Sequence, residues 1–277
     1  MQKRVLTIQD ISCVGQCSLT VALPIISACG VETCVLPSAV LSTHTGGFKG
    51  FTFRDLTEDM PSIEKHWIAE KIQFDGIYTG YLGSSKQIDY VKSIFKSCLT
   101  ENGLKIVDPA MADNGKLYVG FDLAFVEKMK ELCKEADMVL PNLTEACFLL
   151  GETYPETYDE AFIDNILEKL SKLCNGATVI LTGIGYEAEK TGVVVYEKNQ
   201  KRYYEHKKIS KGCHGTGDIY ASAFVGSLMR GKDAYESAKI SADYTVACIE
   251  ATQGDPAHWY GARFETSLSK LIEALKK

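Results

Sequence analysis

The chain has 277 residues, of which 45% are hydrophobic and 24% are charged. This is the balance of an ordinary globular protein, and it excludes a disordered chain or a collagen-like repeat. Thirty basic and 36 acidic residues leave a net charge of −6, which argues against a surface built for nucleic acid or for anionic membranes.

The cysteines and the apolar runs indicate the compartment. None of the ten cysteines has the C-x-x-C spacing of a zinc ribbon or a thioredoxin-like site. The first apolar run, at 5–8, is too short for a secretory signal, and no run approaches the roughly 18 residues of a membrane span. We therefore expect a soluble protein of the reducing cytoplasm.

Short β-branched runs alternate with helical periods along the chain. The runs predict strands at 5–8, 32–36, 75–80, 104–108, 137–140 and 177–182. Start and stop residues predict helices at 59–72, from Ser84 or Ser85 to about Leu99, and from Asn142 to Gly151. Because such strands need helical crossovers between them, we predict an α/β fold with a mainly parallel sheet and helices on both faces.

Two regions depart from this alternation. Residues 38–58 are rich in Thr, Gly and Phe without a helical period, which predicts an exposed loop or flap. Residues 191–206 contain two strand-like runs around residues 198–200, which predicts an antiparallel hairpin at the sheet edge. Helices should follow at about 217–230, 233–251 and 262–276. No linker or repeat interrupts the chain, so we expect one domain over 1–277.

The segment KGCHGTGD at 211–218 carries the clearest chemical signal. Its three glycines precede a helix, where the first-turn N–H groups and the positive end of the helix dipole form an anion site. Asp218 in the first turn is equally explained by stabilisation of the dipole when it is considered alone. A cap needs only one residue, however, and a carboxylate beside a phosphate-binding loop is suited to accept the proton of an attacking hydroxyl.

Two common phosphate motifs are weaker explanations of this chain. The P-loop pattern G-x-x-x-x-G-K-[ST] does not occur. A G-x-G-x-x-A pattern at 183–188 follows a strand, but a strand-rich segment comes next, whereas the dinucleotide fingerprint opens a helix. The kinase interpretation is therefore favoured over a dinucleotide oxidoreductase.

Acidic residues follow two of the predicted strands. Asp108 and Asp113 lie in DPAMAD, just past the carboxyl end of a strand, where open α/β sheets bind ligands. Asn142 and Glu145 form a capping-box pattern, which by itself explains both residues. Glu145 could in addition hold Mg²⁺ directly or through water, since this ion prefers few carboxylates and several waters.

A third set of polar residues also follows strands. The loop STHTGG at 42–47 contains His44 and Thr45, Ser12 follows the first strand, and Tyr81 follows the third. A lone histidine is more often structural than functional. Its neighbours here are small hydroxyl residues and glycines in a loop, which favours a polar pocket that binds a small molecule.

Together these segments resemble the ribokinase-like superfamily and, within it, the pyridoxal kinases. The resemblance is carried by STHTG at 42–46, TGYLGS at 79–84, DPAMAD at 108–113, PNLTE at 141–145 and GTGD at 215–218. The last motif is typical of the superfamily, and the others point to the vitamin B6 kinases. The motifs keep the family order from residue 5 to about 250.

The resemblance implies a ribokinase-like fold and a kinase that uses ATP and Mg²⁺. Asp218 would be the catalytic base for the 5′-hydroxymethyl group of a B6 vitamer. The other implied roles are the anion hole (Gly215, Thr216, Gly217), the vitamer site (Ser12, His44, Thr45, Tyr81, with Asp218), the ATP site (Asp108, Asp113, Asn142, Glu145, Thr182, Gly183) and the metal (Asp108, Glu145). Residues 42–53 would act as a partial flap. Family members are commonly homodimers and often use a monovalent cation such as K⁺.

Some positions depart from the family pattern. Leu140 stands where several pyridoxal kinases have Thr, and His-Thr-Gly continues into GFKG rather than the frequent Tyr. Cys213 and His214 precede the anion hole. Some relatives use a cysteine near this loop covalently, but the presence of Asp218 favours the ordinary base mechanism.

Two other functions remain open on the sequence. Hydroxymethylpyrimidine has a ring and a hydroxymethyl group like those of pyridoxine, but its kinases usually carry G-G-A-G near the first strand, where this chain has ISCVG at 11–15. A non-catalytic protein that binds a B6 vitamer or a nucleotide would have no need of Asp218. The vitamin B6 kinase is therefore the favoured prediction.

Overall fold

The computed structural model of the chain describes residues 2–209 and 213–276, so Lys211 and Gly212 of the glycine-rich segment lie outside the described residues. Within these ranges a nine-stranded sheet has the order β11-β10-β9-β8-β5-β4-β1-β2-β3, and β6 pairs with β7 separately. The strands are β1 (Arg4–Val14), β2 (Glu32–Thr43), β3 (Phe53–Asp55), β4 (Phe74–Thr79), β5 (Leu99–Val107), β6 (Ala112–Asp113), β7 (Lys116–Leu117), β8 (Met138–Val139), β9 (Thr178–Ile184), β10 (Lys190–Glu197) and β11 (Gln200–Lys207).

The pairing of the strands confirms the predicted sheet. Every pair from β2 through β1, β4, β5 and β8 to β9 is parallel. The edge pairs β9–β10, β10–β11 and β2–β3 are antiparallel. The parallel strands all end at the same edge of the sheet, so residues that follow them converge there.

Helices cover both faces of the sheet and bury two apolar cores. The helices are α1 (Leu19–Ala28), α2 (Met60–Ala69), α3 (Ser85–Ser97), α4 (Leu123–Cys133), α5 (Leu143–Leu150), α6 (Glu160–Leu173), α7 (Thr216–Met229), α8 (Ala234–Thr252) and α9 (Leu268–Ala274). One core contains side chains of α2 to α6, and the other contains side chains of α1, α7, α8 and α9. The predicted α/β fold with two covered faces is confirmed.

The predicted helix caps agree with the structure. Ser84 accepts a hydrogen bond from Gln87 N–H at the start of α3. Asn142 and Glu145 form the capping box of α5, which ends at Gly151 in the left-handed conformation with φ 69°. These signals were readable because each one depends on residues within a single turn of helix.

The hairpin predicted at 191–206 is also confirmed. β10 and β11 pair in register from Lys190↔Lys207 to Glu197↔Gln200. Lys198 and Asn199 form the two-residue turn, with φ 51° and 63°. Two positive φ angles are what a tight hairpin turn of the right-handed twist requires.

Two local expectations need correction, and one helix was not predicted. Residues 38–58 are not one exposed loop, because β2 continues to Thr43 and pairs with β3, which leaves 44–52 as the loop between them. The last helix is shorter than 262–276, since α9 covers only Leu268–Ala274. Helix α1 had no clear sequence signal, because Pro24 lies inside it and its composition is apolar all round.

In the described ranges, none of the helices combines the length and the apolar content that crossing a membrane requires.

Candidate active site

The glycine-rich segment meets the sheet edge at the start of α7. Gly215 is the N-cap residue of α7 and is left-handed, with φ 76°. A Cβ atom at this position would overlap the carbonyl oxygen of Gln16, so only glycine allows the loop to approach the end of β1 so closely. In the part of the chain that the structure describes, no side chain caps α7. The N–H groups of its first turn therefore remain available to an anion.

Asp218 lies in this first turn and is partly accessible. Its carboxylate accepts a hydrogen bond from the backbone N–H of Ser18. Burial raises the pKa of Asp218 to about 7, an effect that the Ser18 bond opposes and the charge of Asp10 reinforces. A carboxyl group with a pKa near neutrality is suited to accept a proton under physiological conditions.

Asp10 is a site residue that the sequence analysis missed. It lies in β1, is 5% exposed, and accepts hydrogen bonds from Ser12 Oγ at 3.0 Å and from Ser18 Oγ at 2.6 Å. Ser18 itself has φ 55°, a strained angle for a residue other than glycine. Ser18 thus joins two carboxylates: its hydroxyl binds Asp10 and its N–H binds Asp218. An acidic residue inside a buried strand run was the available signal.

Asp108 and Glu145 are a second pair of carboxylates at the carboxyl edge of the sheet. Asp108 directly follows β5. Burial and the charge of Asp218 raise the pKa of Asp108 well above its usual value, and burial and the charge of Asp108 do the same for Glu145. Both carboxyl groups therefore lie close to other negative charge, which a cation between them would relieve.

The hydrogen bonds of Glu145 decide how it could hold a cation. Its Oε2 accepts from Asn142 N–H at 2.9 Å, and its Oε1 accepts from Met111 N–H at 3.1 Å. Backbone donors thus occupy both oxygens, and among the described residues no group of three His, Cys, Asp or Glu has the arrangement of a metal site. Glu145 therefore fits Mg²⁺ through water, and the partly accessible Asp108 fits it directly or through water.

The other residues predicted to bind ATP differ in their exposure and in their contacts. Asn142 is tied to Ala112 O through its Nδ2 at 2.9 Å, and it forms a parallel bridge with Thr182. Gly183 is exposed, with φ 75°. Asp113 is exposed and accepts from the N–H of its neighbour Asn114 at 2.8 Å. Asp113 is thus at the exposed edge of this region, whereas Asn142 and Thr182 are half-buried within it.

His44 is held by backbone groups on both sides of its ring. Nδ1 accepts from Gly46 N–H at 3.0 Å, so Nε2 carries the proton and donates to Tyr260 O at 2.6 Å. Burial lowers the pKa of His44, which keeps the ring neutral. The two nitrogens are therefore engaged within the protein, and the ring itself is what His44 offers to a ligand.

The remaining vitamer residues are in different environments. Ser12 is 1% exposed and its hydroxyl is used by Asp10, so Ser12 acts through Asp10. Thr45 is exposed in the loop. Tyr81 is half-buried, and burial and the charge of Asp10 raise the pKa of its phenol. Its ring lies 5.4 Å from that of Phe121.

Tyr118 is a second residue that the sequence analysis missed. It follows β7, and its side chain is 41% exposed. Burial and the charges of surrounding carboxylates, of which Glu145 acts most strongly, raise the pKa of its phenol. Asp108 and Asp218 also contribute to this shift. The Tyr118 phenol therefore lies within range of the charges of these carboxylates, although nothing in its local sequence marked it.

The fold and this edge define a class of protein: a parallel α/β enzyme in which an uncapped helix N-terminus and a first-turn carboxylate lie at the carboxyl edge of the sheet, as in small-molecule kinases. The family model for phosphomethylpyrimidine kinase matches residues 22–261, which is most of the chain. The chain belongs to this family.

Similar proteins agree with this assignment. A Bacteroides thetaiotaomicron protein, provisionally described as a phosphomethylpyrimidine kinase, matches in two crystal forms with 36% and 37% identity, TM-scores of 0.93 and 0.91, and coverage of 98% of this chain and 94% and 96% of the other. The second form is described as containing pyridoxal. Pyridoxal kinase from Lactobacillus plantarum is 29% identical with a TM-score of 0.91, over 99% of this chain and 98% of the other.

A curated relative extends the comparison beyond bacteria. Pyridoxal kinase from Dictyostelium discoideum is 26% identical over 247 residues, which is 83% of this chain and 80% of that protein. The predicted family resemblance, the ribokinase-like α/β fold and the kinase activity are thus confirmed. An enzyme of this class transfers a phosphoryl group from ATP to a small molecule.

Proposed function

We propose that the protein is an ATP-dependent vitamin B6 kinase, which phosphorylates the 5′-hydroxymethyl group of pyridoxal, pyridoxine or pyridoxamine. The observation that carries the proposal is the pairing of a partly accessible Asp218, with a pKa of about 7, and the uncapped first turn of α7. The substrate follows from the pyridoxal-containing relative and from the two relatives named pyridoxal kinase.

The chemistry can be written for this chain's own groups. Asp218 accepts the proton of the 5′-hydroxymethyl group, whose oxygen forms a bond to the γ-phosphorus while the bond from that phosphorus to the ADP oxygen breaks. The N–H groups of Thr216 and Gly217 donate to the phosphoryl oxygens as negative charge develops on them. Asp218 must be ionised to act, so the rate should rise with pH through about 7.

Asp10 and Ser18 support the base. Ser18 donates its N–H to Asp218, and its hydroxyl is anchored on Asp10. The negative charge of Asp10 favours the protonated form of Asp218 and so opposes the effect of that N–H. Burial is the main cause of the raised pKa of Asp218, and with these two opposing neighbours the pKa is about 7, where the group can both accept and release a proton.

Asp108 and Glu145 would hold Mg²⁺ near the phosphates, Glu145 through water. The ion, when bound, neutralises charge on the β- and γ-phosphate oxygens. Asn142, Thr182 and Gly183 would line the nucleotide side, and Asp113 would contribute from its exposed edge. A monovalent cation such as K⁺ belongs to the same proposal as a further cofactor.

The vitamer side is assembled from the ends of β1, β2 and β4. Tyr81 offers a partly buried aromatic surface to a pyridine ring, and His44 offers its ring while both of its nitrogens are held by the backbone. Thr45 lies in the loop above them, and Ser12 acts through Asp10. The loop of residues 44–52 would cover the bound vitamer as a flap and exclude water, because ATP in an open site would react with water instead.

Hydroxymethylpyrimidine is the second candidate substrate, because a relative from Aquifex aeolicus, 27% identical over 197 residues, is named hydroxymethylpyrimidine/phosphomethylpyrimidine kinase. The test is to incubate purified protein with Mg-ATP and each of four acceptors: the three vitamers and hydroxymethylpyrimidine. We expect 5′-phosphate from at least one vitamer, with a higher kcat/KM than for the pyrimidine. Transfer to the pyrimidine alone would replace the proposal, and no transfer to any acceptor would favour a non-catalytic binding protein.

The domain organisation, the compartment and the oligomeric state belong to the same proposal. The single nine-stranded sheet in the described ranges supports one kinase domain over 1–277. Nine cysteines other than Cys213 are free thiols in those ranges, as in proteins of a reducing cytoplasm. A homodimer is expected, and sedimentation analysis of the purified protein would test it.

A further inference from the structure

A short segment near the C-terminus contacts the site, although no motif marked it. We define this segment, Trp259 to Ala262, as the clasp. It follows α8 and the short helix Pro256–His258. Its contacts are to three parts of the chain that are distant from it in sequence: the loop 44–52 after β2, the segment 213–215 before α7, and Gln16 after β1.

The first set of contacts holds the loop 44–52. Tyr260 O accepts the hydrogen bond from His44 Nε2 at 2.6 Å, and His44 is only 5% exposed. The ring of Phe48 lies 4.7 Å from that of Trp259. Gly47 has φ 84°, and a Cβ there would lie 2.8 Å from the Trp259 ring. Glycine at 47 therefore allows the loop to lie directly against the indole.

The second set of contacts holds the segment before α7. Ala262 N–H donates to His214 O at 3.3 Å, one residue before the N-cap Gly215. Gly261 lies so close to Gln16 that a Cβ there would overlap the Gln16 side chain. Gln16 is also the residue whose carbonyl oxygen meets Gly215. The clasp thus fixes the anion-binding end of α7 from two directions.

The two sets of contacts meet at a pair of histidines. The ring centroids of His44 and His214 are 5.2 Å apart, and a Cβ on Gly46 would lie 2.8 Å from His214 Nδ1. The loop over the vitamer side and the loop over the phosphate side therefore touch each other, and the clasp holds both. Displacing the clasp would change the position of one relative to the other.

We propose that the clasp is a positioning element that keeps the flap and the anion-binding loop together, so that the phosphoryl group goes to the vitamer rather than to water. This inference rests on the proposed function. In the competing reaction, the oxygen of a water molecule instead of the hydroxymethyl oxygen forms the bond to the γ-phosphorus as ADP leaves, and the products are ADP and inorganic phosphate. Excluding water is what a closed flap achieves.

The test uses Trp259→Ala, with Trp259→Phe as the conservative variant. Trp259 is 48% exposed, so its removal leaves the cores intact. Tyr235→Ala is the matched control, since Tyr235 is a half-buried aromatic residue whose ring contacts Arg202, 4.6 Å away, in a different part of the molecule. ADP release and vitamer phosphate formation are measured together, with KM for the vitamer and kcat.

For Trp259→Ala we expect KM for the vitamer to rise about tenfold, the loss typical of an aromatic contact, and more ADP than vitamer phosphate to be formed. Trp259→Phe should restore most of the coupling, and Tyr235→Ala should keep one ADP per phosphorylated vitamer. Equal coupling in Trp259→Ala and wild type would overturn the proposal, because a purely structural residue would lower kcat without changing this ratio.

A second measurement does not depend on turnover. Amide hydrogen exchange should become faster in Trp259→Ala at residues 44–52 and 213–217, while the hairpin β10–β11 keeps its protection. Unchanged exchange in these two segments would reject the clasp even if the wild-type protein phosphorylated no vitamer. Failure of the proposed function and failure of the clasp are therefore distinguished.

Discussion

Helices α5 and α7 both begin at the carboxyl edge of the sheet, but their first turns are satisfied in different ways. At α5, Asn142 Oδ1 accepts from Glu145 N–H at 2.9 Å, and Glu145 Oε2 accepts from Asn142 N–H at 2.9 Å. At α7 the N-cap is Gly215, which has no side chain to offer. The first turn of α5 is thus capped by its own residues, whereas the first-turn N–H groups of α7 need a partner from outside the helix.

The acidic residues of the two turns differ accordingly. Glu145 is 3% exposed and serves the backbone of its own turn. Asp218 is partly accessible and receives its backbone donor, Ser18 N–H, from another element. A carboxylate that caps its own first turn can thus reach a ligand only through water, whereas a first-turn carboxylate without that capping role is free to contact a ligand directly.

The largest effect is expected for Asp218→Asn. Loss of the base should lower kcat by about 10²–10⁴-fold and leave the affinity for the vitamer nearly unchanged, as measured by steady-state kinetics and calorimetric titration. A variant that keeps most of its kcat would contradict the role of Asp218.

Asp218→Asn should also change how the stability of the folded protein depends on pH. Folding raises the pKa of Asp218 from its ordinary value to about 7, so the folded state binds the proton more tightly than the unfolded state. The wild type therefore loses stability as pH rises from about 4 to about 7, and Asn at this position removes that loss. Thermal melts at pH 5 and pH 8 should show a larger advantage of the variant at pH 8.

Gly215→Ala should be the next most damaging change. An alanine at 215 would have to adopt φ 76°, and its Cβ would overlap Gln16 O. The first turn of α7 must therefore shift. A shift of about 1 Å in a reacting group costs on the order of 10²-fold in kcat. Gly151→Ala is the matched control, because φ there is 69° and no described atom lies within 4 Å of the added Cβ. It should cost about 1 kcal/mol of stability without changing kcat, and equal kinetic losses in both variants would reject the close-approach argument.

Asn142→Ala tests the capped first turn of α5. Removing the N-cap should lower stability by about 1 kcal/mol, or roughly 2–4 °C in melting temperature for a protein of this size. Because Asn142 Nδ2 also holds Ala112 O, KM for Mg-ATP should rise while kcat changes less. A large fall in kcat with normal stability would mean that Asn142 acts on the reaction rather than on the helix.

The smallest effect is expected for Asp10→Asn. The charge of Asp10 contributes to the raised pKa of Asp218, so its removal should move the acid limb of the kcat–pH profile to lower pH. Asp89→Asn, in an exposed ion pair with Lys128, is the control and should leave the profile in place. An unmoved limb in Asp10→Asn would show that the two carboxyl groups do not interact.

The mainly parallel sheet, the helix caps and the glycine-rich start of α7 could be predicted from the sequence because their signals are local. Ser84 and Asn142 bind N–H groups three residues away. Gly215 and Gly217 lie at the N-cap and in the first turn of α7. The boundaries of the flap were wrong because the pairing of β2 with β3 joins segments that local composition describes as loop.

The α/β alternation and the glycine-rich start of α7 follow from the sequence alone, since both depend on periods and neighbours within a few residues. Three relations appear only in the folded chain. The charge of Asp10 acts on Asp218, the Ser12 hydroxyl donates to Asp10, and the charges of several carboxylates act on Tyr118. The tertiary structure also pairs His44 with Tyr260, which is 216 residues away. Contacts of this kind depend on how strand ends and loops converge at one edge of the sheet, and no local pattern encodes that convergence.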